Sequence, residues 1–331
     1  MNLPFTKKKM QQDIDIIFVL VNPSPERARE LYDISGIPHI GLAYVAGSLE
    51  EDGFKVHVID SKMGNYSSND ILQIIGEIYN NDLRLSIGFT AFTHEIERAS
   101  ELATIIKESF PSSHIFIGGV HCTVLPEETL EEFPVFEFAV VGEAEETIVE
   151  VANTLKRGED LNTVPGLVVR KDGRPVLTEK RSLPDVTNLP RTAYHLFPKS
   201  NIYYINTARG CPFNCYFCTR ISGKKVRARD PGDVVDEMVW LKETFNPDIV
   251  SFTDETFTVN KERVEKLLEI MTNKGLHKSV RWYATTRVDT VSYSILKKMK
   301  QAGCKMLGIG VESGNDEILQ KIGKILINHK F

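Results

Sequence analysis

Arg209-Gly210-Cys211-Pro212-Phe213-Asn214-Cys215-Tyr216-Phe217-Cys218 sets three thiols within eight residues, and no fourth cysteine or histidine stands beside them. Cys211, Cys215 and Cys218 suit a cubane [4Fe–4S] cluster, because thiolates are the usual protein ligands of such clusters. The missing fourth ligand leaves one iron open to a substrate or cofactor, whereas an electron-transfer ferredoxin closes its cluster with four cysteines. A structural zinc site also wants four closed ligands, as two Cys-x-x-Cys pairs or with a Cys/His partner. Zinc with a distant fourth ligand, or three free thiols on a loop, are the alternatives.

The 331 residues are enough for two domains with real cores. With 40 basic against 45 acidic residues, no nucleic-acid stripe and no membrane-facing basic surface is expected. Met1 to Met10 is basic, but no apolar stretch follows it that would make a signal peptide. No segment reaches the roughly 18 unbroken apolar residues of a membrane-spanning helix, so no membrane insertion is expected. Five cysteines with three clustered point to metal and a reducing, cytoplasmic compartment rather than to a disulfide framework. An exposed low-potential cluster further implies an anaerobic or oxygen-guarded setting.

Residues 13–157 alternate short apolar runs with amphipathic stretches. Strands are expected at Ile14–Val21, Lys55–Ile59, Leu83–Phe89, His114–Ile117 and Glu137–Val141, with helices at Ile40–Glu51, Asn69–Tyr79 and His94–Phe110. That alternation predicts a doubly wound parallel sheet, Rossmann-like, whose ligand lies beyond the carboxyl ends of its strands. Thr90-Ala91, Gly118-Gly119-Val120-His121 and Gly142-Glu143 should meet on one rim, where glycines admit a large flat ligand. Glycines at strand ends are as readily simple turns. Residues 158–200 read as a link, with a hairpin turning at Asp172-Gly173 and a proline-containing crossing anchored by Leu183, Leu189, Tyr194, Leu196 and Phe197. Residues 201–331 show four strand–helix units of a TIM-like barrel, whose functional groups follow each strand's carboxyl end.

The Cys-x-x-x-Cys-x-aromatic-Cys run of Cys211, Cys215, Phe217 and Cys218 resembles the radical S-adenosylmethionine (SAM) superfamily. Pro38-His39-Ile40-Gly41-Leu42-Ala43-Tyr44-Val45-Ala46 and Gly118-Gly119-Val120-His121 look like segments of its B12-dependent branch, in which a cobalamin-binding domain precedes the radical core. Without the downstream loop, a generic flavodoxin-like domain is an equal reading. The resemblance implies a cobalamin site at Thr90, Ala91, Gly118, Gly119, Val120, His121, Gly142 and Glu143. The Asp-x-His-x-x-Gly motif that puts a histidine on cobalt in many B12 proteins is absent, which implies cobalamin without a histidine ligand. His39 and His94 read as ordinary surface or turn histidines.

In the second domain the resemblance implies that the open iron chelates SAM and that Phe217 contacts its adenine. Asp254 or Glu255 would accept from the SAM ammonium in a charge-assisted hydrogen bond; the same acids read equally as an N-cap ahead of Asn260-Lys261-Glu262. Gly308-Ile309-Gly310-Val311-Glu312-Ser313-Gly314 matches the family's ribose segment, with Glu312 and Ser313 as acceptor and donor for the diol. Arg287 would reach the SAM carboxylate or the substrate, or else pair with Asp289 or Glu255. Cys122 and Cys304 read as thiols without a chemical role. The implied chemistry is reductive SAM cleavage to a 5′-deoxyadenosyl radical, then methyl transfer, ring closure or rearrangement at an unactivated carbon. The implied partners are a small-molecule or natural-product substrate and an electron donor such as flavodoxin or ferredoxin.

The resemblance fades after Gly323 or Lys324, and Ile325 to Phe331 breaks the pattern. The superfamily core has six strand–helix units, so a barrel truncated after four, with its last strand an unpaired edge, is expected. This leaves a second reading: a non-catalytic remnant that binds cobalamin or an iron–sulfur cluster, as a binding or sensor protein.

Overall fold

A computed structural model of the chain describes residues 15–23, 36–79 and 83–324. The strand start at Ile14, the basic stretch from Met1 to Met10 and the break after Lys324 lie outside the described residues. β1 (Ile16–Asn22) is buried along its whole length, as befits a parallel strand covered on both faces. α1 (Ile40–Glu51) begins at His39, whose Nδ1 accepts from Leu42 N at 3.1 Å. β2 (Lys55–Asp60), α2 (Ser61–Gly64) and α3 (Ser68–Ile78) follow. A Ser67–Asp70 capping box fixes the start of α3. Next come β3 (Arg84–Thr90), α4 (Ile96–Ser109), β4 (His114–Gly118), α5 (Val120–Val124), α6 (Pro126–Glu132), β5 (Phe138–Val140) and α7 (Glu145–Arg157). The strands run parallel in the order β2-β1-β3-β4-β5, the doubly wound sheet that the alternation predicts. Along β1, Ile16, Phe18 and Leu20 enter a core shared with α1 and α7, while Ile17, Val19 and Val21 enter one shared with α3 and α4.

The hairpin of β6 (Leu167–Lys171) and β7 (Arg174–Leu177) turns at Asp172-Gly173, both at positive φ. It does not merely link the domains. β6 pairs antiparallel with β5 and extends the first sheet to seven strands, because Leu167, Val168 and Val169 are apolar and find buried places beside β5. In the crossing that follows, Tyr194 and Phe197 are buried as expected, whereas Leu183 is exposed. Ala193 N donates to Ala43 O at 2.9 Å. The backbone lies so close over α1 that a Cβ on Gly47 would sit 2.2 Å from Arg191 O.

The second sheet starts at β8 (Ile202–Ile205). β9 (Ala208–Arg209) and β10 (Arg227–Ala228) form a separate short ladder. Then come α8 (Pro231–Phe245), β11 (Ile249–Phe252), α9 (Lys261–Asn273), β12 (Arg281–Arg287), α10 (Tyr293–Gln301), β13 (Cys304–Gly310) and α11 (Asp316–Lys321). β8, β11, β12 and β13 lie side by side and parallel, giving the four strand–helix units read from the sequence. Phe252, Phe257 and Trp282 cluster at 5.2–5.5 Å between ring centres, and Trp282 Nε1 donates to Ala302 O at 2.8 Å. Among the described residues β13 pairs only with β12, and Met306 on it is exposed. One apolar core runs from α1 through Tyr194 to Tyr203 and Phe252, so the two sheets are packed as one body.

Replacing Gly47 by Val should therefore prise the crossing off α1 and cost about 1–3 kcal/mol, the usual penalty of overpacking. Gly76→Ala, where a Cβ meets nothing within 4 Å, should instead raise stability by about 0.5–1 kcal/mol. Urea unfolding of both variants checks the pair.

Candidate functional site

The three thiols sit on an excursion, residues 210–226, whose base is clasped by the β9–β10 ladder. Gly210 turns into it at φ 94°, and a Cβ there would lie 2.3 Å from Lys225 O, so only glycine lets the two limbs close. Inside the loop, Cys211 N donates to Gly223 O (3.1 Å) and Cys218 N to Cys215 O (3.2 Å). Tyr216 N donates to Ile322 O at 2.9 Å, which docks the loop against the end of α11.

Cys211, Cys215, Phe217 and Cys218 line a cavity of about 280 Å³ at the carboxyl ends of the barrel strands. Glu255 and Thr256 enter it after β11, Thr285 to Arg287 from β12, and Gly308, Gly310 and Glu312 from β13 and its loop. Glu255 Oε2 accepts from Gly210 N at 3.1 Å. Lys324, buried, donates to Gly310 O and to Glu312 Oε1, both at 2.8 Å. Glu312 sits at φ 62°, a left-handed backbone that costs a non-glycine residue roughly 1 kcal/mol or more. Arg287 pairs with Asp289, one of the two partners weighed for it, at 2.9 Å.

Two expected SAM contacts stand elsewhere. Asp254 is buried, accepts from Thr207 N and Oγ1 at 2.7 and 2.5 Å, and does not line the cavity. Nor does it cap α9, whose N-cap is Asn260. Both acids lie beyond the end of β11, in the turn that follows it: Thr207 N and Oγ1 hold Asp254 in the barrel wall, while Glu255 reaches the cavity and Gly210 N. Burial pushes the Asp254 carboxyl up to about 6 despite the Thr207 donors. Ser313 Oγ accepts from Asn315 N in the turn before α11 and is also off the wall.

A second cavity, about 560 Å³, opens at the carboxyl ends of β3, β4 and β5. Its wall includes Thr90, Ala91, Gly118, Gly119, Val120, Gly142 and Glu143, all seven from the expected rim. His121 is not among them: it is buried, its Nδ1 lies 3.2 Å from Thr93 Oγ1, and its ring packs edge-on to Phe133. His39, read as a surface or turn histidine, does line the wall. Burial, with Lys62 nearby, lowers its pKa to about 4. The neutral ring spends Nδ1 on Leu42 N, so its proton sits on Nε2.

Cys218, Arg220 and Glu255 belong to the walls of both cavities, which therefore adjoin. The junction is ionic. Arg209 Nη1 donates to Glu143 Oε2 (2.7 Å) and Nη2 to Glu145 Oε1 (2.6 Å), while Arg227 grips both oxygens of Glu143 and Pro184 O. Burial works against the Arg209 charge, but Glu145 and Glu143 outweigh it and hold its pKa above the ordinary value. Its guanidinium lies 5.0 Å over the Tyr44 ring.

Residues 35–152 match the B12 binding domain family and residues 205–329 the Radical SAM superfamily. An uncharacterized methyltransferase of Pyrococcus horikoshii is 31% identical over 318 residues, 93% of this chain and 68% of that protein. The chain belongs to the radical SAM proteins that carry a B12-binding domain. It is also 27% identical to the anaerobic magnesium-protoporphyrin IX monomethyl ester cyclase of Synechocystis, spanning 87% of this chain and 59% of the cyclase. Among solved structures, TsrM of Kitasatospora setae with cobalamin and a [4Fe–4S] cluster bound superposes at a TM-score of 0.76 (18% identity, 96% of this chain, 62% of that one). OxsB with aqua-cobalamin and SAM bound superposes at 0.77 (19% identity, 94% and 46%). The chain thus spans about half to two thirds of the length of these proteins. No helix among the described residues is long and apolar enough to cross a membrane.

The residues fit this B12-binding radical SAM family's cofactors. The three thiols share one cavity wall, and thiolates are the usual protein ligands of a cubane. In the second cavity a Cβ on Gly142 would meet nothing within 4 Å, and one on Gly118 only ordinary contacts near 3.9 Å. Gly142 and Gly119 are also required by their own backbones, at φ 85° and 96°, and a Cβ on Gly119 would lie 2.6 Å from Thr90 Oγ1, whereas the room beside Gly118 is not dictated by a left-handed backbone. Sequence reasoning missed Arg209, Arg227, Glu145 and Tyr44. The available signal was the arginine opening the cysteine run and the Glu143-Ala144-Glu145 pair, whose mutual partnership no spacing reveals.

Replacing Arg209 with Met should destabilise the protein by about 3–5 kcal/mol, because it strands Glu145 in a buried place and leaves Glu143 with Arg227 alone; chemical denaturation measures it. Asp254 gives a pH test. Its folded pKa lies above the unfolded value of about 3.9, so its contribution is favourable below pH 4 and is lost as pH rises through about 6. Asp254→Asn should remove that loss, gaining on the wild type by up to roughly 3 kcal/mol between pH 4 and 7, read from urea midpoints across that range.

Proposed function

We propose that the chain is the cofactor-binding part of a cobalamin-dependent radical SAM enzyme that acts on an unactivated carbon of a small molecule. The observation that carries this is the common wall of the two cavities at Cys218, Arg220 and Glu255. In this reading residues 13–157, with the β6–β7 hairpin added to their sheet, form the cobalamin unit and residues 201–331 the radical unit. Cys211, Cys215 and Cys218 hold the cluster. When bound, the cluster and SAM supply one-electron carbon-radical generation, and cobalamin supplies the methyl group or the ring-closing chemistry. Methyl transfer is supported by the Pyrococcus relative, which is named a methyltransferase; ring closure by the cyclase relatives.

The chain's own groups prepare the site. Glu255 is the carboxylate between the cavities, placed to accept from the SAM ammonium. Glu312 offers a carboxylate for the ribose diol, steadied by Lys324. Phe217, more than half exposed at the cavity wall, offers a face for adenine. His39 has no lone pair left for cobalt, which supports cobalamin without a histidine ligand. An electron donor such as flavodoxin or ferredoxin, a cytoplasmic location and an anaerobic setting belong to the same proposal.

Anaerobic reconstitution of the full chain should yield one cluster with four irons, one bound cobalamin, and 5′-deoxyadenosine when SAM and a reductant are added. Cys215→Ala should abolish the cluster's absorbance and EPR signal. Gly118→Trp should block cobalamin titration, since Gly118 carries no left-handed backbone that would confuse the result. Zinc in place of iron, or no cobalamin uptake, would sink the reading. Full cofactor loading with no SAM cleavage would leave a binding protein.

A further inference from the structure

We infer that Arg287 is a positioning residue that fixes the Cys215 sulfur and raises the reduction potential of the cluster held there. The inference rests on the cluster assignment above and adds a device within it. Arg287 ends β12 and is only 6% exposed. Its guanidinium is gripped from three directions. Nε and Nη2 each donate to an oxygen of Asp289 at 2.9 Å, in a fork-to-fork pair. The plane rests 3.8 Å from the centre of the Phe213 ring. Nη1 is thereby aimed at Cys215 Sγ, 3.2 Å away.

Phe213 and Cys215 both lie on the cysteine loop, and Arg287 and Asp289 both lie at the end of β12. One side chain therefore ties the loop to the barrel wall by stacking and by an N–H···S bond together. The Asp289 side chain is only 5% exposed, so little water reaches the carboxylate that holds Arg287.

The electrostatic consequence follows from where the charge changes. Reduction adds one electron, from an external low-potential reductant, to a cluster whose sulfur ligands share the added negative charge. No covalent bond forms or breaks and no proton moves. A buried donor on a ligand sulfur stabilises the more negative state, and hydrogen bonds to sulfur are among the levers that set such potentials. Little solvent lies between Arg287 and Cys215, so screening is weak. Lysine would not reproduce this, because it lacks the planar fork that engages Asp289 while leaving a third N–H fixed toward sulfur.

The test is an EPR-monitored redox titration of the full chain, reconstituted anaerobically, with titanium(III) citrate as reductant. Wild type, Arg287→Gln and Arg287→Met are compared at equal iron content. Arg287→Met, without charge or donor, should shift the midpoint potential down. Arg287→Gln, which keeps an N–H but loses the charge, should fall between it and the wild type. Loaded variants with the wild-type potential would overturn the inference. So would the failure of both variants to take up a cluster, which would make Arg287 a residue of folding alone. A wild type that assembles no cluster would strike the cofactor assignment instead.

Discussion

Arg209 and Arg227 stand directly opposite each other in the β9–β10 ladder. Like charges so placed repel, and the ladder closes only because Glu143, from the other sheet, accepts from both. The cysteine loop and the rim of the second cavity are thus joined through one carboxylate. Glu145 takes the remaining face of Arg209. Burying such charges is costly, and the arrangement persists because each has a partner within hydrogen-bond reach. Its effect is geometric: Cys211 follows Arg209 by two residues and Gly142 precedes Glu143 by one, so the cavities cannot drift apart without breaking the ionic seam.

Much of this was legible in the residues. The apolar run Ile16–Val21 of β1 and the helical spacing of α1 and α4 placed these elements within about two residues of those observed, because burial on both faces of the strand and on one face of α4 imposes those patterns. The thiols of 211–218 and the small residues at the ends of β3, β4 and β5 were found for the same reason: each is set by local chemistry. What stayed hidden depends on direction. Asp254 and Glu255 are neighbours of the same charge in the turn after β11, and only their tertiary partners, Thr207 for one and Gly210 N for the other, tell them apart. His121 and His39 exchanged their expected places because the first turns inward toward Thr93 and the second is pinned by Leu42 N. The hairpin joined the first sheet because an unpaired β5 edge was available, a fact of topology that the Asp172-Gly173 turn does not carry.

The two cavities differ in how their walls are made. The larger one is shaped by backbone, with glycines at the rim and apolar wall residues such as Leu20 and Phe116. In the smaller one, charged side chains stand among thiols, Phe217 and threonines, and are held in fixed pairs: Arg287 with Asp289, and Lys324 with Glu312. A backbone-lined pocket recognises a large ligand by shape. Charges already paired in a wall are ordered before a ligand arrives and need little rearrangement to meet it.

The bond from Tyr216 N to Ile322 O, with Lys324 buried beside Glu312, has a consequence for biosynthesis. A ribosome delivers the three thiols more than a hundred residues before it delivers their buttress. During that interval the nascent loop lacks its final support, and its thiols are presented before the wall around them is complete. The pocket therefore closes late, on arrival of the segment around residue 324 rather than on emergence of the cysteines.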